Sequence, residues 1–276
     1  MGDCKYCGQA AGFLRNKHSE CEKKYEEGKS RVVALIPQAI FSSVSLEALH
    51  QQLNQVTQRS FISETEKRDL LLQSWEFAVD RCLEDGILNE SEEKLLLELK
   101  DRFSLSQTDL DRAGAFSKVV KAAVIRDVLN GVLPQRVTID GNIPINLQKS
   151  EQIVWAFPNA DYLEDKTRRH YEGGSRGVSI RIMKGMYYRV GAFKGQAVNR
   201  TERVHVDKGW VVVTNKHMYF AGSVKSLRIP YSKIVSFQTF SDGIGIMRDA
   251  AHAKPQIFVT GDGWFTYNLV TNLAKL

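Results

Sequence analysis

The residues best equipped for chemistry lie at the start of the chain: Cys4-Lys5-Tyr6-Cys7-Gly8, then His18-Ser19-Glu20-Cys21. Thiolate sulfur and imidazole nitrogen are the donors of a tetrahedral zinc ion. A Cys-x-x-Cys turn aims two thiolates at one point, and Gly8 lets the chain turn sharply behind them. His18 and Cys21 lie three residues apart, so one helical turn puts both on one face. Four protein ligands leave no position for water, which makes the expected site structural, not catalytic. So short a segment buries little core, and metal binding would supply most of its folding free energy, on the order of 10 kcal/mol. Cys82, the fourth cysteine, falls in an apolar helical stretch, so the set does not read as a disulfide framework.

A knuckle followed by two ligands at a helix start resembles the treble-clef type of zinc finger. The helix would begin in the charged stretch Glu20 to Gly28. The resemblance implies binding to nucleic acid, binding to protein, or a purely structural role. Lys5, Arg15, Lys17, Lys23 and Lys24 favour an anionic partner, while Glu20, Glu22, Glu26 and Glu27 offset them. The finger is expected over 1–31 and a linker over 32–44, where Pro37 interrupts an apolar run.

From 45 to 131 helix starts recur. Ser63 with Glu66 forms a capping-box pattern, Asn89 with Glu92 repeats it, and Ser106 precedes Asp109. The spacing predicts helices over 45–58, 64–83, 90–103, 107–113 and 115–130, with Gly131 as the stop. Leu71, Trp75, Ala78, Val79 and Cys82 form one apolar stripe, and Phe116, Val119, Val120, Ala123 and Val124 another. The turn Glu84-Asp85-Gly86-Ile87-Leu88-Asn89, followed by Glu90, Glu92, Glu93, Leu95, Leu96 and Leu99, resembles the centre of TerB-like domains, helical modules of tellurite-resistance proteins. That resemblance implies a second metal held by Asp80, Asp85, Glu92 and Glu93. Helix capping and an ordinary solvated face explain the same residues. An EF-hand calcium loop fits poorly, because Ile87 and Leu88 break its series of oxygen ligands.

Beyond Gly131 short β-branched runs alternate with turns, and a rolled or closed sheet is expected over 132–276. Val137–Ile139 and Ile143–Ile145 flank Asp140-Gly141, a hairpin signal. Phe265, Leu269 and Leu273 repeat every four residues in a terminal helix. The wording Gly209-Trp-Val-Val-Val-Thr-Asn-Lys-His-Met-Tyr-Phe220, then Arg228-Ile-Pro-Tyr-Ser-Lys-Ile234, resembles bacterial pleckstrin-homology-like (PH-like) domains. These are barrels or sandwiches of strands with a C-terminal helix. The resemblance implies binding to lipid phosphates, peptides or partner domains. Lys166, Arg168, Arg169, Arg176, Arg181 and Lys184 are the anion-binding candidates, joined by Arg189 and Lys194. Arg168-Arg169-His170 beside Gly173-Gly174 reads as a basic loop, whose competing explanation is simple solvation.

Charge is uneven along the chain. Residues 1–44 carry seven basic against five acidic side chains, 45–131 carry 11 against 16, and 132–276 carry 20 against 11. The basic last part is the expected face for an anionic partner. No apolar run reaches the roughly 18 residues of a membrane span. The N-terminus lacks a signal-peptide core, and Tyr6 stands where a myristoylation pattern wants Ser or Thr. A cytoplasmic chain is expected. Gly173-Gly-Ser175-Arg-Gly177 matches G-x-S-x-G, but no strand leads in and no helix follows, so a nucleophile elbow is not expected. The Walker, zincin and dinucleotide patterns are absent from the sequence. The reading is a multidomain α and β chain: zinc finger, all-α helical bundle, then PH-like β domain with a terminal helix. Its expected role is a non-enzymatic adaptor for a protein partner, in the bacterial stress or phage-response setting that TerB-like modules imply. Nucleic-acid binding through the finger and the basic half, and membrane-surface binding through the β domain, are the alternatives.

Overall fold

One helix of 24 residues, α1 (Ser19–Ser42), carries the chain from its cysteine-rich start into a helical core. The expected linker over 32–44 is therefore corrected: as far as Ser42 it is the second half of α1, burying Val32, Leu35, Ile36 and Ala39. Pro37 sits inside the helix. It has no N–H to offer the Val33 carbonyl one turn back. The Ser74 hydroxyl donates to that carbonyl instead, at 2.7 Å, and accepts from the Ile36 N–H at 3.3 Å. A partner 41 residues away thus repairs the break that proline would otherwise make.

The computed structural model describes residues 2–42, 44–84, 86–139, 143–172, 178–183, 186–190, 196–250 and 254–276. From 166 to 201 it describes the backbone path only. Two compact units result, Met1–Pro134 and Gln135–Leu276. Residues 1–31 belong to the same unit as the helices that follow.

The first unit continues with α2 (Leu46–Arg59), α3 (Glu64–Cys82), α4 (Glu90–Arg102), the single turn α5 (Gln107–Leu110) and α6 (Ala115–Leu129). Ser63 and Asn89 each close a reciprocal capping box, with Glu66 and Glu92. Ser106 accepts from the Asp109 N–H. The core gathers Leu49, Leu53, Leu71, Trp75, Val79, Leu96, Leu99 and Val119. The Trp75 indole N–H donates to the Leu96 carbonyl at 3.1 Å, so the largest buried side chain leaves no polar atom unsatisfied. Gly28 lets α1 approach the α2–α3 corner, since a Cβ there would overlap the Ser60 side chain.

The second unit holds an antiparallel, seven-stranded sheet that is open, which corrects the expected closed barrel or sandwich: among the described residues its edge strands do not pair with each other. Its strands are β1 (Ile153–Glu172), β4 (Gln196–Thr214), β5 (His217–Gly222), β6 (Ser226–Pro230), β7 (Ile234–Thr239), β8 (Gly243–Arg248) and β9 (Gln256–Val259). They lie in the order β6-β5-β4-β1-β9-β8-β7. A separate hairpin pairs β2 (Val178–Met183) with β3 (Met186–Val190). A seventh helix, α7 (Gly263–Leu273), buries Phe265, Leu269, Val270 and Leu273, and Asp262 caps it by accepting from the Phe265 N–H at 3.0 Å. β1 pairs with β9 only over Asp161–Glu164, yet with β4 as far as Glu172. Arg168, Arg169 and His170, expected in a loop, therefore lie in a two-stranded ribbon opposite Arg200, Asn199 and Val198. The segments Val137–Ile139 and Ile143–Ile145 are not strands; Asp140 and Gly141 lie outside the described residues. Pro144 has no N–H for a ladder, and the Ile145 N–H closes a tight turn around it on the Ile143 carbonyl at 2.7 Å.

Candidate metal centre

Cys4 and Cys7 stand in a small loop held by its own backbone. Asp3 and Ala10 form an antiparallel bridge, the Cys4 N–H donates to the Gln9 carbonyl at 2.7 Å, and the Gly8 N–H to the Cys4 carbonyl at 2.8 Å. Gly8, at φ 71°, takes the left-handed turn that the knuckle requires. His18 directly precedes α1 and Cys21 lies in its first turn. The Lys5 N–H bonds the Asn16 carbonyl at 2.9 Å and ties the knuckle to the approach to that helix.

These two pieces bring Cys4, Cys7, His18 and Cys21 together, with one ligand atom from each within 4.8 Å of all the others. Cys4 is buried and the other three are half-buried. His18 Nδ1 lies 3.5 Å from the Cys7 sulfur and 3.7 Å from the Cys21 sulfur. On the far side of the ring, Nε2 is 3.2 Å from the Ala10 carbonyl oxygen. A carbonyl can only accept, so Nε2 donates to it, and in the neutral ring the Nδ1 lone pair then faces the sulfurs. That is the tautomer a metal ligand needs. The four residues are close enough to hold a metal ion.

The sulfurs differ electrostatically. Burial raises the Cys4 thiol, but backbone N–H groups of Cys7, Tyr6 and His18 outweigh it and bring the pKa down to about 6. Burial pushes Cys21 up to about 11, with the neighbouring Cys7 and Cys4 sulfurs adding to it. Charge on the Cys4 and Cys7 sulfurs opposes charge on Cys21, and a divalent ion among them would reverse that repulsion.

Aromatic contacts join the centre to the bundle. Tyr6, inside the knuckle, stacks near Tyr25 of α1 at 4.9 Å between ring centres and near Phe61 at 6.4 Å. The Tyr25 hydroxyl donates to Glu66, the same carboxylate that closes the Ser63 capping box. Those bonds hold Glu66 down at about 2, the Ser63 hydroxyl first and Tyr25 second.

Three of the four acidic candidates for a second metal have a protein partner. Asp80 pairs with Lys118 at 2.7 Å, Glu92 caps α4, and Glu93 meets the buried Arg126 guanidinium at 2.6 Å. Asp85 lies outside the described residues. Among the described residues the cysteine–histidine set is the one group arranged to hold a metal. The anion-binding candidates Lys166, Arg168 and Arg169 fall on β1, Arg181 on β2 and Arg189 on β3; their side chains, and Arg176, Lys184 and Lys194 altogether, lie outside the described residues.

One constellation has no signal in the sequence. Glu151, fully buried, accepts from the Thr214 hydroxyl at 2.5 Å, His217 Nδ1 at 2.8 Å, the Tyr219 hydroxyl at 2.8 Å and the Gln148 N–H at 2.8 Å. Burial works to raise its pKa, but these donors prevail and hold it at about 2. The Tyr231 hydroxyl completes the cluster by donating to the Thr214 carbonyl at 2.6 Å. Glu151 thereby fastens the chain entering β1 to the β4–β5 turn. His217, at the start of β5, is one of its donors.

No family model, curated protein or solved structure matches this chain.

Proposed function

We propose that the chain is a non-enzymatic binding protein whose N-terminal finger is built around one structural zinc ion. The observation that carries this reading is the closed Cys4–Cys7–His18–Cys21 donor set with its oriented histidine. Zinc with bonds of about 2.3 Å to sulfur and about 2.1 Å to nitrogen separates tetrahedral sulfur and nitrogen ligands by about 3.6 Å. The distances of 3.5 and 3.7 Å from His18 Nδ1 to two sulfurs bracket that value. When bound, zinc would neutralise the thiolates and lock the knuckle to the first turn of α1. The residues themselves orient the ring through Ala10 and hold Cys4 as a thiolate through backbone N–H groups.

The buried ionisable clusters away from the finger support binding over catalysis. Glu151 and Glu93 are each consumed by hydrogen bonds that hold elements together. The seven-stranded antiparallel sheet followed by a terminal helix supports a PH-like reading of the second unit. The acidic turn between α3 and α4 supports a TerB-like reading of the first. Together they favour a cytoplasmic adaptor that engages a macromolecular partner, with a stress or phage response as its setting. Nucleic-acid binding is the second reading, carried by the excess of basic residues over 132–276.

The test is co-purification of the tagged full-length chain from its source cells, with and without nuclease, at low and high salt. A protein partner that survives nuclease and salt, and is recovered from the wild type, supports the adaptor. Recovery that vanishes with nuclease and falls steeply with salt supports the second reading and overturns the first.

A further inference from the structure

Phe13 and Leu14 stand in solvent, 83% and 90% exposed, more than any other large apolar side chain among the described residues. Single exposed apolar residues are ordinary, but two adjacent ones on a braced loop are not. The loop is closed at its base by Ala11 N–H to Gly2 carbonyl and Lys5 N–H to Asn16 carbonyl, both at 2.9 Å. Gly12 at φ 96° and Leu14 at φ 57° carry the chain round the tip. The left-handed region is uncommon for leucine, so the surrounding loop imposes this conformation.

Along the loop's own sequence the charge has one sign, with Asp3, bridged to Ala10, at its base. From Cys4 to His18 there is no Asp or Glu, and Lys5, Arg15 and Lys17 are present. Lys17 bonds Glu22 of α1, and Lys5 lies over the Tyr6 ring. Neither Lys5 nor Arg15 has a carboxylate partner among the described residues. An apolar tip inside a basic collar is the pattern that docks on anionic bilayers: the apolar groups enter the headgroup boundary while the cations meet lipid phosphates. Single-stranded nucleic acid would instead use flat rings for stacking, and Leu14 offers none.

We propose that the Phe13–Leu14 tip docks the chain on an anionic membrane surface, with Arg15 and Lys5 against the lipid phosphates. The proposal rests on the zinc finger above only in that the metal keeps the loop braced. No helix of the described residues is long and apolar enough to cross a membrane, so any such attachment through them is peripheral.

Vesicle co-sedimentation of the metal-loaded full-length chain tests this. One vesicle preparation is phosphatidylcholine alone and the other contains phosphatidylserine as well. The wild type is expected to sediment with the second and not the first. Phe13→Ala with Leu14→Ala should weaken binding by roughly tenfold or more, and Arg15→Ala by about fivefold. Metal content is measured on the same samples, so loss of the finger and loss of the docking tip are distinguishable. Three results overturn the proposal: no sedimentation of metal-loaded wild type, equal sedimentation with neutral vesicles, or a double alanine variant that retains its metal and sediments like wild type. Tip-dependent binding to an oligonucleotide without vesicle binding falls under the first of these.

Discussion

Pro37 survives inside α1 because Ser74 takes over a hydrogen bond, and a double-mutant cycle measures that arrangement. Ser74 is completely buried. Replacing it with alanine removes the hydroxyl that donates to the Val33 carbonyl at 2.7 Å. The orphaned carbonyl has no water to turn to, and such a loss costs about 1–3 kcal/mol. The cavity left by one oxygen atom adds little, so about 2 kcal/mol is expected from the first unit. Pro37→Ala restores an N–H one turn beyond Val33, and that carbonyl can then be satisfied within α1. Ser74→Ala should therefore cost about 1 kcal/mol less when alanine replaces Pro37. Urea unfolding followed by the helical circular dichroism signal reads all four members of the cycle, since six of the seven helices among the described residues lie in the first unit. A Ser74→Ala cost below about 0.5 kcal/mol, or an equal cost in both backgrounds, would refute the reasoning.

Other expectations follow from single contacts. Gly28→Ala puts a methyl group into Ser60, and the overlap should destabilise the first unit by about 1–3 kcal/mol despite alanine's better helix propensity, read by the same unfolding assay. Glu151 is held at about 2 against an ordinary 4.5, so the unfolded chain takes up its proton first as pH falls. The stability it contributes is complete above about pH 4.5 and is lost between there and about pH 2. On the order of 2–3 kcal/mol should disappear from the sheet unit in that window, and Glu151→Gln should flatten the profile; an unchanged acid limb in the variant would contradict the assignment. Arg126→Met removes the guanidinium that meets the buried Glu93 carboxylate at 2.6 Å and donates to the Leu88 carbonyl at 3.1 Å, and about 3 kcal/mol of destabilisation is expected in denaturant titrations.

The features legible in the sequence are those set by neighbours along the chain. Ser63 with Glu66 and Asn89 with Glu92 cap helices where their spacing placed them. The cysteine and histidine pairs converge because each pair is local and a single short loop joins them. Long-range compensation was not legible. Pro37 reads as a break until Ser74 is known to lie beside it. The outer part of β1, Asp165 to Glu172, pairs with β4 and not with β9, and its charged sequence carries no apolar alternation that would mark a strand. Glu151 looks like an ordinary loop glutamate, because its partners Thr214, His217 and Tyr219 are more than 60 residues away. Glu93, read as a possible ligand, is claimed by Arg126 from a helix 33 residues later.

The proposed finger stands or falls on its metal. The direct measurement is elemental analysis of full-length protein purified without added metal, alongside the Cys7→Ser variant. One zinc per chain in the wild type and none in the variant is the expected result. A wild type free of zinc, or a Cys7→Ser variant that keeps its full complement, would contradict the assignment of Cys4, Cys7, His18 and Cys21 as a structural zinc centre.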